Sequence, residues 1–460
     1  MARLNRDVPG PHRWSPFGVL SEVQRDPLGT FLRGRESYGD VVKFRVGMWN
    51  SYLLSHPDDI KRVLQDNNQN YRKGLIYQYL KPVLGLGLLT NEGESWLSQR
   101  RLAQPAFHRQ ELGELTSIMT GAIGAMLDRW RNQTEVAPRD IAAEMAHLTM
   151  DMVGQALLGS DLAGTSAQVH DAVKVGQEHV NWRITHPFSL SENYPTPRNR
   201  RFTKALRTLD DLVYSIIEQR RHSSSAVLSG AKGGASGHDL LTLLLEARDE
   251  DTGEGMTDWQ LRNEVITIFL AGHETTANAL AWAWHLLSLH PEVEEQIYTE
   301  VDSVLCGRLP TLQDITRLTY TRMVLDETLR LCPPAWVIAR FPVADDEASG
   351  YRIPAYSQVI LSSYVTHRHP DLWQEPERFD PERFQPDQAV QRPRYAYFPF
   401  GGGPRMCIGS EFAVMEGVLA LATVAREYRL RALPGHKVEP EALITLRPRG
   451  GLPMFVERRQ

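Results

Sequence analysis

FPFGGGPRMCIG, residues Phe398–Gly409, places three consecutive glycines, a proline and an arginine ahead of one cysteine, Cys407, with Gly409 just beyond it. Glycine runs cost backbone entropy, so a chain seldom sets them beside a cysteine that only fills a core. Gly403 and Gly409 let backbone approach a bulky, flat object. A helix beginning just after Cys407 points its positive end at the sulfur and favours thiolate. Arg405, two residues away, is placed to pair with an anionic group on the same object. A thiolate, a carboxylate-bearing ligand and close backbone approach together fit a haem held by cysteine. A buried structural thiol is the commoner fate of a lone cysteine and stands as the alternative.

The rest of the composition narrows the setting. At 460 residues the chain exceeds the usual single domain of roughly 100–200 residues, which allows several domains or one large fold. Lys and Arg number 51 against 56 Asp and Glu, so the formal charge is 51 − 56 = −5, and nothing invites nucleic acid as a partner. Cys306, Cys332 and Cys407 form no CxxC pair, which argues against a disulfide framework or a four-ligand zinc site. MARLNRDVPGPHRW at the start lacks a signal-peptide core. No apolar run approaches the ~18 residues of a membrane span. These features suit a soluble, cytoplasmic protein with no membrane anchor.

Asp40 to Pro57 alternates apolar and polar residues around Gly47, a hairpin signal. Helical patterns dominate from about Asp58. His222 to His238 is low in complexity and reads as a surface loop. The strongest helix begins at MTDWQL, where Thr257 and Gln260 form a capping-box pattern, and runs to Leu289 before Pro291. Roughly 32 residues at 1.5 Å rise give about 48 Å, enough to cross a whole domain. Short strands are expected near Arg340–Val343 and Gln358–Leu361, and a last helix from about Ile408 to Glu427. The expectation is a mainly α fold: one large α-rich domain over residues 1–460, with a small β region towards the N-terminus and a long central helix.

Mid-way along that helix lies AGHETTA, Ala271–Ala277. A zinc-protease HExxH would need histidine at 277, where alanine stands. Apolar residues flank the run, so Glu274 and the threonines need a partner or a function. Ala271 and Thr275 share a face at i,i+4, and the Thr275 hydroxyl can bond back to a carbonyl. ETLR (Glu327–Arg330) and WLSQR (Trp96–Arg100) are weak signals alone; each equally describes a solvated pair on a helix.

Phe-x-x-Gly-x-Arg-x-Cys-x-Gly, present as FGGGPRMCIG, resembles the haem-binding loop of the cytochrome P450 family. Five fixed residues would match by chance in such a chain about once in a thousand. The hairpin, WxxxR, AGHETT, ExxR, PERF (Pro381–Phe384) and the cysteine loop also appear in family order. The resemblance implies heme b (iron protoporphyrin IX) ligated by Cys407, with Phe400, Gly401, Gly409 and Ala271 beside it. It implies propionate partners in Trp96, Arg100, Arg340 and Arg405, an oxygen-stabilising Thr275, and Glu274 feeding protons through water. Glu327, Arg330 and Arg383 would form a buried ion network that fixes the segment leading to the cysteine. His273, His367 and His369 are not expected as ligands, because the second axial position must stay open.

The implied activity is a monooxygenase that inserts one atom of O2 into a hydrophobic small molecule such as a fatty acid, terpenoid or steroid. Candidate pocket residues are Tyr77, Leu80, Leu86, Phe188, Ile268, Ala271, Trp336, Val337 and Ile338. Arg72 and Lys73 are read as solvated rather than as anchors for a carboxylate. No dinucleotide fingerprint or iron–sulfur cysteine set is present, so electrons are expected from an external ferredoxin or flavodoxin with its reductase. Arg101 and Arg109 are candidates for its docking face. A peroxygenase or isomerase on the same fold, and a haem-based sensor, are the rival readings.

Overall fold

A computed structural model of the chain describes residues 7–12, 17–47, 49–108, 113, 115–132, 137–159, 166–186, 189–228, 239–249 and 251–459. Helices of seven residues or more, numbered in chain order, begin with α1 (Pro27–Tyr38), α2 (Ile76–Leu84), α3 (Gly93–Ala103) and α4 (Thr116–Asn132). They continue with α5 (Ile141–Leu158), α6 (Ser166–Thr185), α7 (Pro197–Leu228) and α8 (Leu240–Glu246). The last four are α9 (Asp258–Leu289), α10 (Pro291–Leu305), α11 (Thr319–Leu331) and α12 (Ser410–Glu427). Helix predominates, as the hydrophobic periodicity requires.

The α9 boundaries match the expected ones, for the expected reasons. Both halves of the capping box form: Gln260 N donates to Thr257 Oγ1, and Thr257 N donates to Gln260 Oε1 at 2.9 Å. Residues 276–284 are buried on every side, so this half of α9 is a core helix rather than an amphipathic surface one. It packs on α5, α7, α11 and α12, and its apolar residues join the main core.

One sheet stands towards the N-terminus. Strands β1 (Val41–Val46) and β2 (Trp49–Leu54) pair antiparallel, and with β3 (Tyr71–Lys73), β4 (Ile338–Pro342) and β5 (Gln358–Leu361) they give the order β1-β2-β5-β4-β3. Here β4 brings late sequence beside early sequence, and its register sets Arg340 directly opposite Lys73. Near the C-terminus β6 (Pro440–Ala442) and β7 (Leu446–Pro448) make a hairpin whose turn, residues 443–445, reaches α9.

Two expectations change. His222–Leu228 continues α7 instead of opening a loop: an amphipathic helix already propagating carries the serines with it, since extension costs far less than nucleation. Residues 229–238 of that stretch lie outside the described residues. The final helix starts at Ser410, two residues later than expected.

Candidate active site

The cysteine loop is fastened by its own backbone. Cys407 N donates to Phe400 O at 2.9 Å, Met406 N to Gly403 O at 3.1 Å, and Gly401 N to Phe398 O at 2.9 Å. Two glycines are dictated by neighbours within the chain. A Cβ on Gly403, whose φ is +64°, would sit 1.8 Å from the Leu64 carbonyl oxygen, and one on Gly402 would sit 2.3 Å from the Tyr395 ring. At Gly401 and Gly409 a Cβ would make only ordinary contacts, with Ile338 and Phe107. The bareness at 402 and 403 therefore serves loop packing, a correction to the expectation that Gly403 clears a flat ligand.

Cys407 lies deep in the protein yet is exposed, and Ala271 is exposed in the middle of a helix whose neighbours are packed. Exposure at such places means an internal cleft. Burial pushes the Cys407 thiol up, opposed by the Gly409 backbone N–H and the charge of Arg100. The thiolate-favouring effect expected of the following helix is present but is outweighed in the protein alone.

Around the cysteine loop the chain collects four cations. Arg405 stacks on the Trp96 ring with 4.1 Å to its centroid and donates to Asn91 O at 3.0 Å. Arg100 donates to Met406 O at 3.1 Å. Arg340, 7% exposed, reaches Tyr77 Oη at 3.4 Å, and Lys73, also 7% exposed, lies 4.9 Å from the Tyr77 ring centroid and donates to Leu89 O. Among the described residues none of the four charged groups forms an ion pair within 4 Å; the carboxylate of Glu92 accepts from the Lys73 backbone N at 2.7 Å and offsets part of the positive charge on Lys73 and Arg405. Burial and then the charge of Arg340 pull Arg405 down to about 10 and lower Lys73 as well. Opposed like charges on neighbouring strands are unfavourable, and buried charge without a counter-charge more so. This arrangement calls for an anion bearing more than one charge. The residues therefore fit a haem, whose iron can take a cysteine thiolate and whose propionates can take the cations.

Lys73 corrects its reading as a solvated lysine. Strand β3 alternates, so Arg72 faces solvent and Lys73 the interior. That alternation was the signal available in YRKG. Tyr77 belongs with these cations more than with an apolar wall.

On α9, Thr275 Oγ1 donates to Ala271 O at 2.7 Å, the expected back-bond. Glu274 turns elsewhere: Gln177 Nε2 on α6 donates to its Oε2 at 3.0 Å, and Thr445 Oγ1 donates to its Oε1 at 2.8 Å. Burial raises its pKa, partly offset by Thr445 and then by Arg447. Nothing in the sequence paired Glu274 with residues 97 and 171 positions away.

The Glu327–Arg330 pair is 0% exposed on both sides and two-pronged, at 2.6 and 2.8 Å. The remaining donors of Arg330 go to the carbonyls of His367, Pro376 and Arg378 at 2.7–3.0 Å. Arg383 approaches Glu327 at 3.6 Å, and Asp380 N donates to it at 2.9 Å. His367 was expected only not to be a ligand; its Nε2 accepts from Phe398 N at 3.0 Å and so ties this network to the cysteine loop.

Among the pocket candidates, Ile338 reaches towards Gly401, Ile268 is half-buried one turn before Ala271, and Leu80 is half-buried against the main core. Leu86 is partly exposed, with its carbonyl held by Gln99. Trp336 is a correction: its ring packs 6.3 Å from Phe31 in a satellite core, and its indole N–H donates to Leu443 O at 2.9 Å. Val337 packs in the same satellite core. Phe188 and Arg109 lie outside the described residues. Arg101, half-exposed, pairs with Asp249 and Asp251 at 3.0 and 2.8 Å. No helix among the described residues is long and apolar enough to cross a membrane.

Comparison with known proteins adds a name to this geometry. The family profile described as Cytochrome P450 matches residues 8–451. Cyclooctatin synthase of Streptomyces melanosporofaciens is 38% identical over 95% of this chain and 92% of its own length. Cyclooctat-9-en-7-ol 5-monooxygenase of the same organism is 36% identical, over 91% and 88%. Pentalenene oxygenase of Streptomyces avermitilis is 34% identical, over 93% and 92%. The crystal structure of the cytochrome P450DA heme domain superposes with a TM-score of 0.88 at 26% identity, covering 100% of this chain and 99% of that one.

Proposed function

The chain belongs to the cytochrome P450 family, and on that premise we propose that it oxidises a terpenoid at a haem held by Cys407. As a family member it is a haem-dependent monooxygenase acting with O2 and electrons from a redox partner. Haem, when bound, supplies the oxygen activation that puts one atom of O2 into the substrate.

Each residue has a part in this reading. Cys407 would hold the haem iron through its thiolate, from the loop of Phe400, Gly401 and Gly409. Arg405, Arg340 and Arg100, joined by Lys73 and the Trp96 indole N–H, would pair with the propionates of a bound haem through charge-assisted hydrogen bonds. Thr275 donates its only hydroxyl proton to Ala271 O, so it offers lone pairs to the cleft and can accept a proton-bearing partner there. Glu274, buried beside it with a raised pKa, is the proton source. Ile268, Ala271, Ile338, Leu80 and Leu86 give the substrate an apolar wall. Residues 1–460 act as one haem-holding domain.

The observation that carries the proposal is the set of four cations, none in an ion pair among the described residues, beside an inward-opening cysteine. The relatives named for cyclooctat-9-en-7-ol and pentalenene favour a terpenoid over a fatty acid or steroid. An external ferredoxin or flavodoxin and a cytosolic location complete the reading. Its test is spectroscopic. Cys407→Ala abolishes the red-shifted Soret band of the reduced carbonyl complex, and an unchanged band removes the ligand assignment. Spin-state titration with terpenoids against fatty acids and steroids then tests the substrate class.

A further inference from the structure

Two elements besides its own helix grip the Glu274 carboxyl. Gln177 reaches it from α6 and Thr445 from the turn between β6 and β7. A third residue fixes the direction of the second bond. Asn278, one turn further along α9, brings Nδ2 to the Thr445 hydroxyl at 3.1 Å. An amide nitrogen only donates, so Thr445 accepts from Asn278 and keeps its single proton for Glu274. Thr445 is 5% and Asn278 8% exposed, so bulk water does not compete for these bonds.

The turn itself is anchored to the same helices. Ile444 N donates to Asn181 Oδ1 at 3.1 Å, and Asn181 follows Gln177 by four residues, on the same face of α6. The Trp282 indole N–H on α9 donates to Leu446 O at 3.2 Å. Three elements thus meet at one carboxyl. On its other side α6 lies against α2, where Arg183 covers the Tyr79 ring at 5.7 Å, and α2 carries the pocket candidates Tyr77 and Leu80.

We propose that Gln177 and Thr445 are positioning residues for Glu274, so that the seat of α6 over the substrate cleft sets where the proton-donating carboxyl points. The proposal rests on the reading of Glu274 as proton source. In the present arrangement both carboxyl oxygens face the junction, and Thr275 is bonded to Ala271 instead. Gln177 acts from α6 and Thr445 from a turn that Asn278 and Trp282 hold on α9, so each carboxyl oxygen is fixed from a different element.

Thr445→Val keeps shape and removes the donor; Gln177→Leu removes the other. In the haem-loaded protein, at a pH where the carboxyl is protonated, infrared spectroscopy reads the C=O stretch that disappears in Glu274→Gln. A protonated carboxyl has one carbonyl oxygen, so the variant that removes the donor to that oxygen moves this band to higher wavenumber, and where that variant is Thr445→Val, Thr445→Ser returns it. A band that stays in place in both variants overturns the proposal, and a purely structural role would not move it. Oxygen reduction by a surrogate ferredoxin and reductase, without organic substrate, gives the second reading. Two electrons and two protons per O2 yield hydrogen peroxide, whereas four of each yield two waters. Thr445→Val raises the peroxide-to-water ratio about fivefold, the factor set by one hydrogen bond of about 1 kcal/mol, and Thr445→Ser restores it. If Glu274→Gln leaves the ratio unchanged, the proton-source reading fails. If Glu274→Gln raises it and neither Thr445→Val nor Gln177→Leu does, the positioning fails.

Discussion

Two clusters of buried charge sit on either side of the cysteine loop, and they are built on opposite principles. At Glu327 and Arg330 every charge is answered within the chain: a two-pronged ion pair, three carbonyl acceptors and a backbone N–H. At Arg405, Arg340, Arg100 and Lys73 positive charges face one another across carbonyls and aromatic rings, with one carboxylate, Glu92, close by but in no ion pair with them among the described residues. The first cluster is complete in the bare polypeptide and belongs to the fold. The second is complete only with an anion that the polypeptide does not supply, and belongs to the ligand. The difference shows where a buried charge is structural and where it is reserved.

The largest effect should fall on the complete cluster. Glu327→Ala strands the Arg330 guanidinium in the interior, and loss of one partner of such a pair costs about 3–5 kcal/mol. Denaturant unfolding of the haem-free and haem-loaded forms should show the loss in both. A loss confined to the loaded form would erase the distinction between the clusters.

Glu416 on α12 tests a third situation, a buried carboxyl with no cation. Among the described residues no hydrogen bond of good geometry reaches either oxygen, and burial, eased by Thr276, pushes its pKa up to about 8. The folded value therefore lies above the ordinary carboxylate value, so between the two the folded state holds a proton that the unfolded state has released. Stability from this group is full below about pH 4.5 and declines as pH rises towards 8. Glu416→Gln should flatten that decline and gain up to about 3 kcal/mol over wild type near pH 7. Parallel wild-type and variant pH profiles would show that the carboxyl is better satisfied than its surroundings suggest.

Arg405→Leu comes next and separates the clusters most sharply. It relieves repulsion on Lys73 and Arg340, so the haem-free protein should be no less stable than wild type. Haem retention should fall about ten- to a hundredfold, as for a lost hydrogen bond to a charged group of about 1.5–3 kcal/mol. Transfer of haem to a scavenging protein measures it, and Arg340→Leu should act alike. Destabilisation of the haem-free form would make Arg405 a structural residue.

The completed cluster was more legible in the sequence than the reserved one. Glu327 and Arg330 are i,i+3 on one helix, and local spacing brings such pairs together. Lys73 and Arg340 meet only through the register of β3 against β4, strands separated by more than 260 residues. The contacts of Glu274 with Gln177 and Thr445 are equally non-local. The long helix was readable end to end because its cap and its proline stop are local chemistry. Trp336 was misassigned because an aromatic after a proline pair suits a pocket wall and a core equally. Its contacts with Phe31 and Leu443, both remote in the sequence, decide it. Phe400–Gly409 announced a thiolate site, but the reason for Gly402 and Gly403 lay with Tyr395 and Leu64, out of view in the sequence.

The smallest expected effect probes what the clusters share, a tryptophan under an arginine. Trp96 lies beneath Arg405 at 4.1 Å, and Trp373 beneath Arg392 at 4.1 Å and Arg330 at 5.0 Å. A cation over an aromatic face contributes about 0.5–1 kcal/mol where partly exposed and more where dry. Trp96→Phe keeps a weaker face and loses the indole N–H, so it should lower haem retention about two- to fivefold while changing haem-free stability by under about 1 kcal/mol. Trp373→Phe keeps a face but loses ring volume in a fully buried site, so it should lower the stability of both forms and leave retention per folded molecule unchanged. Haem-transfer rates and unfolding midpoints for the two variants form a two-by-two comparison. Two diagonal losses uphold the division of labour. Equal losses in every cell would mean that both tryptophans simply fill space, and that the reserved charge is held by hydrogen bonds alone.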